Sequence, residues 1–309
     1  MKTVLITGGA GNLGRFVADE LSNDYRVVLF DRYPPDQVRE PWECKYPFLL
    51  GDQTSFEDCV RAISNSKPDI IVHNGAITHD SDIHDGKMNR PGFRMFQPED
   101  NTMRINCMGT YYMMDAARRF GVKKVIFGSS FYVLGLGFRV SDEPFQLDSL
   151  PIDESHANRP EDTYSASKVI GEEIVASFCR SYGMKGIAFR YMGISYPYRP
   201  HKFDVDPLKD KKEGFKGGPI GTTYQYSDAR DIAYATRLAI EKDLPSVFEA
   251  FYISTDNVFK GDSAPIFKAL YPDYAHLAGN LKGEEGFISD KKLRDTFGYA
   301  PKYSWRNRE

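Results

Sequence analysis

Nowhere in this 309-residue chain does an apolar run approach the ~20 residues that a bilayer-crossing helix needs. Met1 and Lys2 lead straight into an apolar strand candidate, without the charged and apolar leader of an exported protein, so a cytoplasmic location is expected. Cysteine is sparse. Cys44, Cys59, Cys107 and Cys179 are scattered without paired spacing, which speaks against a disulfide frame or a zinc site and for reduced thiols. Charge of one sign is lacking too: 40 Lys and Arg stand against 43 Asp and Glu, a formal net charge of -3, and no basic run or basic-aromatic patch marks a nucleic-acid partner. What is present is 41% hydrophobic residues, enough to fill the core of one large domain or two small ones.

The informative stretch is the first one, Val4-Leu5-Ile6-Thr7-Gly8-Gly9-Ala10-Gly11-Asn12-Leu13-Gly14-Arg15-Phe16. An apolar run breaks into three spaced glycines and resumes with helical periodicity, which reads as strand, tight turn and helix. Gly8 can take the angles of a sharp turn, Gly11 leaves the main chain open to a pyrophosphate, and Gly14 lets the helix lie close to the strand. The free amides at the helix start, at Asn12 and Leu13, then form an anion site. Any strand-to-helix turn can use glycines, so the pattern needs company. It has it in a second apolar run, 27–30, ending in Asp31, the distance downstream at which a carboxylate meets adenosine ribose hydroxyls. Such a carboxylate repels the extra phosphate of NADP, so NAD is the expected cofactor. The adjacent Arg32 could pair with that phosphate, with Asp31, or cover the adenine.

Beyond this, short apolar runs alternate with segments of helical character, the signature of a doubly wound parallel sheet. Residues 15–21 continue the first helix, and 33–47 is an irregular loop. Strand 48–50 ends in Gly51-Asp52-Gln53, where Asp52 either accepts from the adenine amino group or caps the helix at 56–63. Strand 69–73 leads into Asn74-Gly75-Ala76, small or polar residues where backbone passes close to the cofactor. His73 reads as a satisfied core histidine. Segment 79–98 crowds His79, Asp80, Asp82, His84 and Asp85 together, followed by Arg90 and Arg94. Its spacing fits no metal coordination set, and a substrate lid is the better expectation. One long helix is expected over 101–120, apolar on more than one face, half of its cover coming from a second subunit. Strand 122–127 then delivers Ser129 and Ser130 to the dinucleotide edge. Finally Tyr164 and Lys168, four apart, share one helix face. A lysine ammonium favours a phenolate, so the pair can move a proton at an alcohol, with Ser130 holding the same oxygen.

In combination these pieces resemble the extended short-chain dehydrogenase/reductases of the NAD-dependent epimerase/dehydratase family, over nearly the whole chain. Asn106 with Gly109-Thr110, Arg190-Tyr191 and the stretch 227–232 complete the match. The resemblance implies that Ser130, Tyr164 and Lys168 are catalytic, that Asp31 and Asp52 hold adenosine, that Asn106 supports the sheet near the nicotinamide, and that the chain forms a homodimer through the helices starting near Asn101 and Tyr164. The implied architecture is an α/β, doubly wound parallel Rossmann sheet with a small C-terminal α/β cap. Residues 1–192, rejoined by 223–255, form the dinucleotide-binding part, and 193–222 with 256–309 the cap.

Two departures bear on substrate. Family members that bind nucleotide-sugars follow the arginine-tyrosine pair with phenylalanine and a diphosphate-binding asparagine, whereas Met192-Gly193 stands here. Leu134 replaces the usual tyrosine before Gly135, which is expected to alter the wall of the sugar pocket. The expected activity is therefore NAD-dependent hydride transfer at a carbinol carbon of a sugar or sugar derivative, with net dehydrogenation first. A nucleotide-sugar 4-epimerase or dehydratase retaining its NAD is the alternative, and a non-catalytic NAD sensor stands outside the enzyme class. Arg199, His201 and Lys202 are either contacts for an acidic substrate or a solvated cluster.

Overall fold

Along each central strand, branched aliphatic side chains point alternately to opposite faces, and both faces are apolar, as a sheet covered by helices on both sides requires. The computed structural model describes residues 1–78, 100–136, 141, 143, 145–209 and 223–307. Its strands are β1 Thr3–Thr7, β2 Arg26–Asp31, β3 Phe48–Leu50, β4 Ile70–His73, β5 Lys124–Ser130, β6 Lys185–Tyr191, β7 Gly193–Ser195, β8 Gln225–Asp228, β9 Phe248–Ile253 and β10 Asp256–Asn257. Seven of them form a parallel sheet in the order β3-β2-β1-β4-β5-β6-β9. Strands β10, β8 and β7 form a second, mixed sheet.

The helices are α1 Asn12–Leu21, α2 Phe56–Ser66, α3 Gly109–Arg119, α4 Thr163–Tyr182, α5 Ala229–Glu241, α6 Ser263–Leu270 and α7 Lys291–Phe297. Val4, Ile6, Val72 and Ile126 share one core with α1, α5 and α7. Leu5, Ile71, Val125 and Phe127 share the opposite core with α2, α3 and α4. A third core gathers Leu134, Phe145, Met192, Tyr224, Phe259, Phe267 and Phe287 around the second sheet and α6.

The chain steps outward from β1 to β2 and β3, then returns to place β4 on the other side of β1. Register pairs Thr7 with Phe30 on one side and with His73 on the other. The carboxyl ends of β1, β2 and β4 therefore meet at the point where strand order reverses, which in such sheets is the place for a ligand.

Most expected elements form, with ends displaced by no more than four residues and strand 48–50 unshifted. The exception is the helix expected over 101–120. Its first part, Met103–Met108, is wound as a π-helix, and the Gly109 amide donates to the Arg104 carbonyl, five residues back. The extra residue per turn rotates Asn106 and Cys107 into the interior ahead of α3. Asp52 does not cap α2. Ser55 does, accepting from the Asp58 amide, while Asp52 Oδ1 closes a local turn by accepting from the Thr54 amide and hydroxyl, each at 2.8 Å.

Leu134 is fully buried in the third core and is no part of the cavity wall. The lid expected at 79–98 and residues 210–222 of the 193–222 insertion lie outside the described residues. At the far end of β5, the Lys124 ammonium donates to the carbonyls of Ala239, Ile240 and Lys242 at 2.9–3.1 Å. This satisfies the last carbonyls of α5 with a cation at the negative end of the helix.

Candidate active site

A cavity of about 650 Å³ opens over the crevice at the carboxyl ends of β1, β2 and β4. Its floor is the glycine turn. Gly8 takes φ +64, and a Cβ there would meet the Asn74 carbonyl carbon and the Gly75 amide at 2.8 Å, so this position is closed to other residues on both conformational and steric grounds. A Cβ on Gly14 would stand 2.5 Å from the Gly9 oxygen and 2.6 Å from the Gly8 oxygen. Gly14 thus lies behind the turn and fits α1 against it. Gly11 is different. Its φ of -69 and ψ of 171 suit any residue, and a Cβ there would meet only the Gly8 oxygen, at 3.1 Å. Gly11, Asn12 and Leu13 line the cavity, and no side chain caps the start of α1, so the first amides of the helix are open to an anion.

Asp31 lies at the β2 end of the cavity, where one carboxylate oxygen accepts from the Ala10 amide at 3.1 Å and the other from the Arg32 amide at 2.7 Å. Burial raises its carboxyl above the ordinary range against the pull of those amides. The Arg32 guanidinium turns to Asp52, Nε to Oδ2 at 3.6 Å, rather than to Asp31, and its side chain is 60% exposed. At Asp52, burial works upward but is outweighed by the Thr54 donors and by Arg32, so its carboxyl lies below its usual value. Gln53 is a brace: its amide donates to the carbonyls of Gly75 and Ile105 at 3.0 and 2.8 Å.

His73 is the core histidine expected. Its ring nitrogens lie 2.6 and 3.0 Å from the hydroxyls of Thr7 and Thr110, and burial pushes its pKa down to about 3. Asn74, Gly75 and Ala76 line the cavity. The Tyr191 hydroxyl donates to Asn74 Oδ1 at 3.1 Å and so fixes the amide, leaving the buried Nδ2 without an acceptor among the described residues. An orphaned donor in the wall and a floor kept free of side chain at Gly11 suit a ligand rich in acceptors, such as a dinucleotide. Asn106 stands behind the wall. It accepts from the Ile77 amide and donates to the Ile77 carbonyl and to Ser167 Oγ, at 2.9–3.0 Å, clamping the segment after β4 rather than the sheet.

Tyr164 and Lys168 line the far end. Asp162 caps α4 by accepting from the Ser165 amide at 2.8 Å, which sets the first turn that carries Tyr164. Burial pushes the Tyr164 phenol up to about 12, against a hydrogen bond with Ser130 that pulls it down. The Lys168 ammonium lies 5.5 Å from the centre of the Tyr164 ring and donates to the Gly128 carbonyl at 2.7 Å. Burial brings Lys168 down to about 8. Ser129 also borders the cavity, while its hydroxyl donates to Glu172, which takes Arg190 through two bonds of 2.9 Å.

Several groups at the site gave no signal in the sequence. Tyr132 packs edge-on to Tyr164 with ring centroids 6.1 Å apart, and Ile194 and Tyr196 close the cavity from the strand after Tyr191. Arg199, His201 and Lys202 are exposed. Among the described residues no group of three His, Cys, Asp or Glu could hold a metal ion, and no helix is long and apolar enough to cross a membrane.

Comparison with known proteins agrees with this geometry. The NAD dependent epimerase/dehydratase family model matches residues 4–250. A putative UDP-glucose 4-epimerase of Methanocaldococcus jannaschii is 26% identical over 62% of this chain and 55% of its own length. A uronate dehydrogenase of Pseudomonas putida is 27% identical over 63% of this chain and 61% of its own. The chain thus spans somewhat over half the length of these relatives. The structure of the Thermus thermophilus UDP-glucose 4-epimerase, complexed with NAD, has the same fold, with a TM-score of 0.65, 21% identity, and coverage of 98% of this chain and 95% of that one.

Proposed function

Because the chain belongs to the NAD dependent epimerase/dehydratase family, we propose that it is an NAD-dependent oxidoreductase acting at a carbinol carbon of a sugar or sugar derivative. The observation that carries this reading is the placement of Tyr164 at the cavity, hydrogen-bonded to Ser130 and one turn from Lys168. Bound NAD supplies the acceptor for hydride from that carbon. Everything else falls to the chain. Gly11, Asn12 and Leu13 take the diphosphate on the free amides of α1, Asp31 takes the adenosine ribose hydroxyls, and Asp52 keeps Oδ2 for the adenine amino group.

Lys168 and the Asn74 amide offer donors to the nicotinamide half. Ser130 holds the substrate oxygen, and the Tyr164 hydroxyl gives or takes the proton there. A phenol held near 12 is a reservoir of that proton at neutral pH, and it acts as a base once a positive charge stands beside it. The division of the chain into a dinucleotide-binding part and a cap around the third core belongs to the same proposal. So does a homodimer through α3, with the π-helical turn before it, and α4, where Met108, Tyr111, Ile170 and Tyr182 are exposed large apolar groups.

Net dehydrogenation is favoured over epimerisation by Met192-Gly193. Met192 is buried in the third core and Gly193 carries no side chain, so no asparagine amide reaches toward a substrate diphosphate from this strand. The test is whether NADH accumulates stoichiometrically with free uronic acids, aldoses or nucleotide-sugars. Interconversion without net NADH indicates an epimerase, and no reaction across that panel would overturn the enzyme reading in favour of a sensor. Tyr164→Phe should cost about 10²- to 10⁴-fold in turnover with NAD affinity unchanged. A variant keeping more than about a tenth of the wild-type rate, where chemistry limits, removes Tyr164 from this role.

A further inference from the structure

Arginine in this chain holds carboxylates in a repeated way. Arg190 donates from Nε and Nη2 to the two oxygens of Glu172, each at 2.9 Å. Arg230 donates from the same two atoms to the two oxygens of Asp228, at 2.9 and 2.8 Å. This is the flat two-pronged edge of the guanidinium, whose spacing matches a carboxylate or a phosphoryl group.

Arg15, the fourth residue of α1, has that same pair of atoms, Nε and Nη2, buried and without any acceptor among the described residues. A guanidinium keeps its charge at any physiological pH and has no neutral form to retreat to. Burying two of its donors unmatched is costly, and the Tyr198 ring, whose centre lies 3.9 Å from the guanidinium carbon, takes no hydrogen bond from them. Glu40, whose charge reaches Tyr198, makes no bond to this edge of Arg15.

The position of Arg15 says what could complete it. It lies one turn after Asn12, which lines the cavity, and the aromatic stack it belongs to runs from Phe16 through Tyr198 to Tyr196, another lining residue. Tyr198 is 43% exposed and is stacked on its neighbours at centroid distances of 6.4 and 5.5 Å, so an incoming group can displace its ring. We infer that the Nε and Nη2 edge of Arg15 is a seat for an oxyanion, a phosphoryl or carboxylate group, of a molecule bound in the adjoining cavity. The inference rests on the proposed NAD site. Two sources carry this chemistry there, the diphosphate of NAD and an acidic group on the sugar.

The decisive variant is Arg15→Lys, which keeps the charge and loses the two-pronged edge. Binding to wild type and variant would be measured by calorimetry with NAD, with adenosine, which has no phosphate, and with D-glucuronate and D-glucose in the presence of NAD. If the seat takes the diphosphate, NAD weakens tenfold or more and adenosine is unchanged. If it takes the substrate acid, NAD is unchanged and glucuronate alone weakens tenfold or more. NAD and glucuronate affinities both within threefold of wild type overturn the inference, as does an equal loss for adenosine. Failure of the wild-type protein to bind NAD at all would instead overturn the proposed function. A Glu40→Gln variant guards against an internal partner: if it lowers Tm as Arg15→Lys does and neither changes binding, Arg15 pairs with Glu40 and the seat does not exist.

Discussion

Two glycines of the same turn should fail in opposite ways when each is replaced by alanine. At Gly14 a Cβ would press on two backbone oxygens at 2.5 and 2.6 Å, and backbone on both sides of the turn has nowhere to go. Overpacking of this kind costs about 3 kcal/mol at the upper end of its usual range, of which alanine's helix propensity returns ~1 kcal/mol. Gly14→Ala should therefore lose about 2 kcal/mol of stability.

At Gly11 the backbone is already extended, and the one close atom is the Gly8 oxygen at 3.1 Å. Alanine there removes unfolded-state freedom worth about 0.4–1 kcal/mol, which offsets a few tenths of an ångström of adjustment, so Tm should stay within a few degrees of wild type. The new methyl stands where a diphosphate must approach the main chain. Binding of NAD should fall ~100-fold, or about 2.7 kcal/mol. Denaturant melts and calorimetric titration with NAD read the two quantities separately. If Gly11→Ala binds NAD within threefold of wild type, or melts below Gly14→Ala, the division between a floor that faces ligand and a turn that faces helix is wrong.

Asp31→Ala should shrink the preference for NAD over NADP, expected at ~10-fold or about 1.4 kcal/mol in kcat/KM, mainly by weakening NAD. Equal use of both cofactors by the unaltered protein would show that Arg32, despite its pairing with Asp52, governs the choice. His73 makes stability depend on acid. Its folded pKa of about 3 lies below the 6.5 of an unfolded histidine, so the unfolded chain takes up the proton first. The contribution is complete above pH 6.5 and falls by about 1.4 kcal/mol per pH unit as the pH drops from there toward 3. Urea melts at pH 7 and pH 5 should therefore diverge more for wild type than for His73→Gln, and parallel pH slopes would contradict the assignment.

The glycine turn, the strand-end carboxylate and the tyrosine-lysine pair were readable because each is a residue type forced by geometry at a fixed spacing. The alternation of faces in β1, β4 and β5 was readable for the same reason. What escaped depends on partners distant in the chain. No residue type announces a π-helix, so the winding that turns Asn106 inward was not legible in the helical periodicity, although the family resemblance placed Asn106 near the nicotinamide. The choice of Ser55 over Asp52 as the cap of α2 turned on competition from Thr54, two residues from Asp52. Leu134 lies in the third core, and the next residue, Gly135 with φ +87, packs against the backbone of Arg159, a contact between segments that sequence order keeps apart. The Gly128 carbonyl that takes the Lys168 ammonium is likewise a partner from a distant segment, 40 residues earlier in the chain.

The buried pair of Glu172 and Arg190 bears on how such a protein can change over time. Glu172 lies two turns beyond Tyr164 on α4, and through Arg190 and Ser129 it fastens that helix to β5 and β6 with charge that solvent does not reach. Tyr164 and Lys168 are thereby tied to the sheet that carries the floor of the cavity, and the further bond of Arg190, to the Tyr252 hydroxyl at 3.2 Å, runs to β9 of that same sheet, where the third core begins. Descendants of such a chain can exchange the covering segments, and with them the molecules admitted, while the reacting groups keep their places. In the other direction the freedom is small, because a carboxylate and a guanidinium locked together in the interior can be replaced only as a pair. Inherited variation in this architecture should therefore collect in what lies over the cavity and be scarce beneath it.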